Sequence, residues 1–269
     1  MGLKFNEKAH RYTMTNAAGE WAPVTGATTL LGGGIPKPQL VYWAGKMVAE
    51  FVRDNPLEVE RLRGAEDMVR ELAKVPNQVR DRAAVRGTDI HVIAEKLGNG
   101  EEVEVPEEHL AEVQGYVDFL DAWEFEVVLA EKSCGNRKNW HSGRFDVLGR
   151  SPFLCGGRLV MVDLKTSNGI YGETALQTAA YSESEFYVED DDPDTEIPMP
   201  EIAATYVAHI KPGVTELHEL CGNRAEIKTA YQMFLAAAYT AKTRKQREAY
   251  IKDPLTLPTT EKETLDAAA

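Results

Sequence analysis

Apolar and polar positions alternate through residues 5–21 on either side of Asn16-Ala17-Ala18-Gly19, a pattern that predicts a hairpin turning at those four residues. Residues 24–31 follow, then Gly32-Gly33-Gly34-Ile35-Pro36. No Gly-Lys-Ser/Thr comes after these glycines, so the stretch reads as a flexible connection rather than a phosphate-binding loop. From residue 38 the period lengthens to that of a helix. Leu40, Trp43, Met47 and Phe51 recur on one face of 38–53 and read as core. Residues 58–74 and 79–97 predict two more helices, separated at Val75-Pro76-Asn77. Asn99-Gly100 ends the second, and 106–123 predicts another with Leu110, Val113, Val117 and Leu120 inward.

The second half of the chain changes to the two-residue period of strands. Residues 125–134, 143–150 and 158–165 each read as a strand, the last two joined through the Ser151-Pro152 and Gly156-Gly157 turn region. Residues 173–188 predict a helix, and 190–200 an acidic, proline-containing loop, exposed and mobile. A hairpin, 202–210 and 214–220, turns at Lys211-Pro212-Gly213. A long helix, 223–247, ends in Lys242, Arg244, Lys245 and Arg247. That basic end is either a solvated turn suited to the helix dipole or a contact for a phosphate backbone. Residues 253–269 are polar, contain two prolines and read as disordered. No internal repeat is evident. The fold class expected is α/β in the α+β sense. A central mixed sheet of 125–134, 143–150, 158–165 and 202–210 is flanked by helices 79–97 and 173–188. An N-terminal hairpin and helical region, 1–78, packs on a core of 79–252, with the tail 253–269 beyond.

Composition narrows the class. The chain has 269 residues, 43% hydrophobic and 27% charged, which is ordinary for a globular protein and ample for a core. No apolar run reaches the length of a membrane span, and Met1–Lys8 lacks the apolar centre of a signal peptide. An intracellular, cytoplasmic protein with no membrane partner is expected. Cys134, Cys155 and Cys221 are odd in number and far apart, which suggests reduced thiols and no zinc or iron–sulfur spacing. The net charge of −13 argues against a basic surface laid wholesale on nucleic acid, yet leaves room for a local basic cleft. Acids concentrate in 185–201, whereas Lys132, Arg137, Lys138, Arg144, Arg150, Arg158 and Lys165 gather around strands 143–150 and 158–165.

Those two strands carry the candidate chemistry. Asp163 and Lys165 are two apart on an extended chain and project to the same face. If 158–165 returns beside 143–150, Asp146 meets them, and two carboxylates and an ammonium converge. Paired carboxylates hold a hard divalent cation. Such a cation polarises a phosphoryl oxygen and acidifies a water, and a lysine orients that water or answers developing charge. Taken alone, Asp-x-Lys at a strand end is common and is better explained by a solvated salt bridge on a surface hairpin. Other residues join it. His91 shares a helix face with Glu95 and has Gly87 one turn before it, where a backbone can pass close to a partner. Glu131, near the end of its strand, is either a salt-bridging residue or a supporting acid. Gln177 and Tyr181 lie one turn apart, either capping a packed helix or holding the lysine, a phosphate or substrate.

In this order the residues resemble the PD-(D/E)xK nuclease superfamily, within it the RecB-like exonuclease group in its phage-encoded form. Gly87-x-x-x-His91, Gly143-Arg144-Phe145-Asp146, Asp163-Leu164-Lys165-Thr166 and Gln177-x-x-x-Tyr181 match its four motifs over 86–206, under half of the chain. The resemblance implies a restriction-endonuclease-like core and a metal-dependent deoxyribonuclease acting in DNA recombination, replication or end-processing. Asp146 and Asp163 would bind Mg2+ or Mn2+, with the Leu164 carbonyl assisting and His91 completing the site. Lys165 would position the attacking water, Gln177 would support it, and Tyr181 would place the DNA strand. Arg144 is a further candidate for substrate contact, and Glu131 matches an acid of uncertain role. Relatives with an iron–sulfur cluster use four cysteines around these motifs, so no cluster is expected here. DNA is the implied partner, with recombination or replication proteins beside it. The alternatives are a structure-specific endonuclease of the same fold, or a non-catalytic acidic partner in DNA metabolism.

Overall fold

The computed structural model of the chain describes residues 1–6, 9–63 and 67–255. The tail expected to be disordered therefore lies outside the described residues from 256 onward.

Two long antiparallel strands form the spine. β4 (Glu126–Asn136) runs against β5 (His141–Arg150) from Glu126↔Arg150 to Asn136↔His141. Three N-terminal strands, β1 (Leu3–Asn6), β2 (Arg11–Thr15) and β3 (Trp21–Gly26), form a meander whose last member joins the start of β5 in parallel at Thr25↔His141. The later half of β5 pairs with β6 (Val160–Lys165), which pairs in parallel with β9 (Thr205–Lys211). β9 then turns into β10 (Val214–Cys221). Beyond β4 lie β7 (Phe186–Val188) and β8 (Ile197–Pro198). The result is a ten-stranded mixed sheet among the described residues, as the strand pattern predicts in outline.

Helices cover both faces. α1 (Ala27–Gly34), α6 (Glu173–Ser182) and α7 (Arg224–Lys242) pack over Phe145, Leu148 and Met161. On the other face α4 (Met68–Gly98) and α5 (Leu110–Ala122) bring Ile90, Ala94, Tyr116 and Phe119 onto Val147, Val160, Val162 and Leu164. α2 (Gln39–Asp54) and α3 (Pro56–Leu62) precede α4, and α8 (Arg244–Glu248) follows α7. No described helix is long and apolar enough to cross a membrane.

Several expectations need correction. The glycines at 32–34 are not a flexible connection but helix: a Cβ on Gly34 would lie 2.0 Å from the Ala237 carbonyl oxygen, so glycine lets α1 and α7 approach. Residues 58–74 and 79–97 are not divided at Pro76, because α4 runs through it. Proline removes one main-chain donor, and the hydrogen bonds on either side together with buried Val75 carry the helix across. The helix expected at 173–188 ends at Ser182. Phe186-Tyr187-Val188 are β-branched and aromatic residues, which β4 captures as a strand through Ser133↔Val188. The stripe on α2 is not core: none of its residues is buried, and Leu40 is 51% exposed. On α5, Leu110 is exposed and Tyr116 and Phe119 point inward with Val113. The acidic loop at 190–200 is tied down by Lys4–Asp194, Arg137–Glu196 and Arg144–Asp190 ion pairs and by the Leu3 N–H donating to the Pro193 carbonyl at 2.9 Å.

Candidate active site

The site forms where β5 and β6 part. Their ladder runs Gly149↔Val160, Leu148↔Met161 and Val147↔Val162. One step further, the Leu164 N–H donates to Asp146 Oδ2 at 2.6 Å, so a side chain takes the place of a ladder acceptor. On the other side of β5, the pairs Ala130↔Val147 and Lys132↔Phe145 set Glu131 opposite Asp146. Strand alternation then puts Asp163 and Lys165 together, with Nζ 2.5 Å from Asp163 Oδ2. Gln177, from α6, donates Nε2–H to Asp163 Oδ1 at 3.0 Å. From the opposite face α4 brings in His91, whose Nε2 lies 3.1 Å from the Leu164 carbonyl oxygen and whose Nδ1 lies 3.1 Å from Glu131 Oε1. Nδ1 is also 3.8 Å from Asp146 Oδ1.

Gly87 makes this approach possible. A Cβ there would sit 3.2 Å from Thr166 Oγ1, so the backbone of α4 passes tightly over the end of β6 one turn before His91. Glu131 carries a different local signature. Its φ of 51° is in the left-handed region, inside a strand and on a side chain that dislikes it. Backbone strain of this kind persists where surroundings impose it and gathers at functional sites. Here it aims one carboxylate at two cations: Oε1 at His91, Oε2 at Arg144 Nε, 2.9 Å away. Of the two readings of Glu131, the structure shows the ion pair, with Arg144, and sets the same side chain against His91.

The charges are compressed. Asp163 is 2% exposed, and burial, with Asp146 next to it, pushes its carboxyl up to about 7. Burial also raises Asp146, against the opposing pull of His91 and Lys165. For His91 burial alone would lower the pKa. Asp146 and Glu131 outweigh it and carry the imidazole up to about 9. A carbonyl oxygen only accepts, so Nε2 facing Leu164 bears a proton, and the carboxylate at Nδ1 favours a second. Lys165 is likewise raised: burial opposes its charge, and Asp163 and Asp146 prevail.

A divalent cation fits this donor set. Ligand atoms of His91, Glu131 and Asp146 all lie within 4.8 Å of one another, and the Leu164 carbonyl adjoins them. Adjacent ligands of a small octahedral cation stand about 3.0 Å apart, from a bond length of about 2.1 Å. His91 Nδ1 stands 3.1 Å from Glu131 Oε1 and 3.8 Å from Asp146 Oδ1, so loss of its proton would let these three groups face one cation. Two carboxylates, a carbonyl and a single imidazole make a mainly oxygen donor set, of the kind that hard divalent cations take. Asp163 stands outside the tightest cluster, with its oxygens engaged by Gln177 and Lys165.

Two candidates take other positions. Tyr181 is buried, its ring so close to Gly143 that a Cβ there would lie 2.1 Å from Cε1. Two of the sequence motifs therefore meet as a packing pair. Arg144 is half-buried and bridges Glu131 and Asp190. A surface cleft of about 660 Å3 is lined by Tyr12, Gly26 and Thr28 and another of about 520 Å3 by Ser182, Glu201 and Arg224, and neither is lined by Asp146, Asp163 or Lys165. Charge convergence, not concavity, singles out the site. Sequence reasoning missed a second group, His209, Glu216 and His218 on β9 and β10, whose one signal was the Glu-x-His alternation of β10. No family model matches the chain, and no curated protein sequence matches it.

Proposed function

We propose that the chain is a divalent-metal-dependent deoxyribonuclease that hydrolyses phosphodiester bonds from DNA ends. The observation that carries this reading is the convergence of Asp146, Asp163 and Glu131 with Lys165, His91 and the Leu164 carbonyl where two strands part. His91, Glu131, Asp146 and the Leu164 carbonyl would hold the cation, with Asp163 beside them. When bound, Mg2+ or Mn2+ polarises a phosphoryl oxygen and lowers the pKa of a water.

The chain's own groups supply the rest. Lys165 is kept cationic and held in place by Asp163, so its ammonium can orient the attacking water and answer charge on the phosphoryl oxygens. Gln177 fixes the Asp163 carboxylate, and through it the lysine. Glu131 fixes the ring of His91 and the guanidinium of Arg144. Arg144 faces the acidic loop as well, and a DNA phosphate would compete with Asp190 for it. Asp194 and Glu196 of the same loop are likewise paired with cations of the chain.

The test is cleavage of end-labelled linear DNA, single- and double-stranded, with Mg2+, Mn2+ or EDTA, by wild type and by Lys165→Ala. Metal-dependent loss of label by wild type, with Lys165→Ala inactive yet still binding DNA, is the expected result. Circular DNA left intact assigns the activity to ends, and circles opened assign it to an endonuclease. A folded wild type that cleaves nothing with either metal overturns the proposal.

A further inference from the structure

We propose that His209, Glu216 and His218 form a second metal site, one that takes a transition metal of the zinc type and is separate from the oxygen-rich site above.

The β9–β10 hairpin puts all three on one face. His209 is paired with Glu216 across the hairpin, and His218 follows Glu216 by two residues. Their ligand atoms lie within 4.8 Å of one another. His218 Nε2 is 3.4 Å from Glu216 Oε2, and His209 Nδ1 is 4.0 Å from the same oxygen. Ligands about 2.0–2.1 Å from a tetrahedral zinc ion stand roughly 3.3 Å apart, so small side-chain movements close the set. Two imidazoles and one carboxylate leave the fourth position open and suit zinc or cobalt better than magnesium.

A second observation points the same way. His209 is 6% exposed, and its Nε2 lies 2.6 Å from the Ser167 carbonyl oxygen. The carbonyl must accept, so Nε2 bears a proton and Nδ1 is the nitrogen left to face Glu216. Metal-binding histidines are oriented by this kind of outer hydrogen bond. Lys211 Nζ now sits 2.7 Å from Glu216 Oε2, a cation already held at the carboxylate the metal would use.

The position matters to the rest of the chain. His209 pairs with Lys165 in the parallel ladder, so Lys165, His209 and Glu216 form one row across three strands. A dication on this hairpin adds positive charge to the face that carries Lys165.

The experiment titrates Co2+, and then Zn2+, into the whole chain, reading the visible bands of tetrahedral cobalt and the binding heat. Wild type, Asp146→Asn, His218→Ala and Lys211→Met are compared. Asp146→Asn should keep the tetrahedral signal, because that carboxylate belongs to the other site. His218→Ala should weaken binding by at least about ten-fold. It should also keep the wild-type circular dichroism and thermal midpoint, since His218 is 47% exposed. Lys211→Met should tighten binding, by up to about five-fold, once the competing ammonium is gone. The proposal is overturned if His218→Ala binds like wild type, if the signal disappears in Asp146→Asn, or if wild type takes up neither metal.

Discussion

Replacing Asp163 by Asn should stabilise the metal-free protein at pH 8 while ending the cleavage of DNA proposed above. The carboxyl has an ordinary value of 3.8 and is pushed up to about 7 by burial and then by Asp146. In the unfolded chain it ionises near pH 4. Between roughly pH 4 and 7 the folded protein therefore keeps a proton that the unfolded one has released. The stability that protonation confers is complete below that window and is lost as pH rises through about 7. At pH 8 both states are ionised, and the folded state bears the cost of the buried charge. A shift of about three units at about 1.4 kcal/mol each sets an upper bound of about 4 kcal/mol. Asn keeps an oxygen for Gln177 Nε2, and it also removes the ion pair with Lys165 Nζ at 2.5 Å. The net gain is of order 1–4 kcal/mol, or about 2–16 °C in Tm at about 2–4 °C per kcal/mol. Thermal unfolding in EDTA at pH 8 and pH 4 measures it: a rise at pH 8 and little change at pH 4. A variant less stable than wild type at pH 8, or shifted equally at both pH values, refutes the reasoning.

Three more predictions follow from the same geometry. His91 gains stability from its protonated form, present below about pH 6.5 and lost as pH rises through about 9. Both buried acids act in the same direction, so the metal-free Tm should fall from pH 5 to 9, and Mn2+ should raise it more at pH 8 than at pH 6; a flat profile in EDTA would count against the cluster. Glu131→Gln loosens His91 and Arg144 at once, and should lower metal-dependent kcat/KM by about 10–100-fold with the fold intact by circular dichroism. Gly143→Ala drives a methyl group into the Tyr181 ring and should cost about 1–3 kcal/mol in chemical denaturation, an effect absent if the ring can turn aside.

What the sequence revealed was whatever depends on short spacing. Asp163 and Lys165 share a face because strand residues alternate, and that holds wherever the strand lies. The convergence with Asp146 needed only the return of one strand beside another, which the intervening turn residues announce. Glu131 could not be resolved this way, because its two partners lie 40 and 13 residues away in the chain and its left-handed backbone leaves no mark in composition. Of the glycines only Gly87 was legible as a place of close approach, though not its contact, Thr166; Gly34, read as part of a flexible connection, serves Ala237, and Gly143 serves Tyr181. Pro76 misled because one missing hydrogen bond ends a helix only when nothing else holds the chain. The apolar stripe of α2 misled because periodicity shows that a face exists, not that anything covers it. His209, Glu216 and His218 meet only through the register of β9 and β10, a non-local fact.

The continuity of α4 has a consequence for how the centre comes together. A helix of 31 residues is about 46 Å long, and His91 rides in its last quarter while Asp146, Asp163 and Lys165 belong to the sheet. Its buried side chains are Val75, Ile90, Ile93 and Ala94, so the firm grip lies near the imidazole and the rest of the rod leans mainly on α2, which has no buried residue. The centre thus joins groups of a sheet covered by helices on both faces with one group from a helix whose buried side chains lie mostly near that group. Undocking that end of α4 would withdraw the imidazole and leave the carboxylates on the sheet in place.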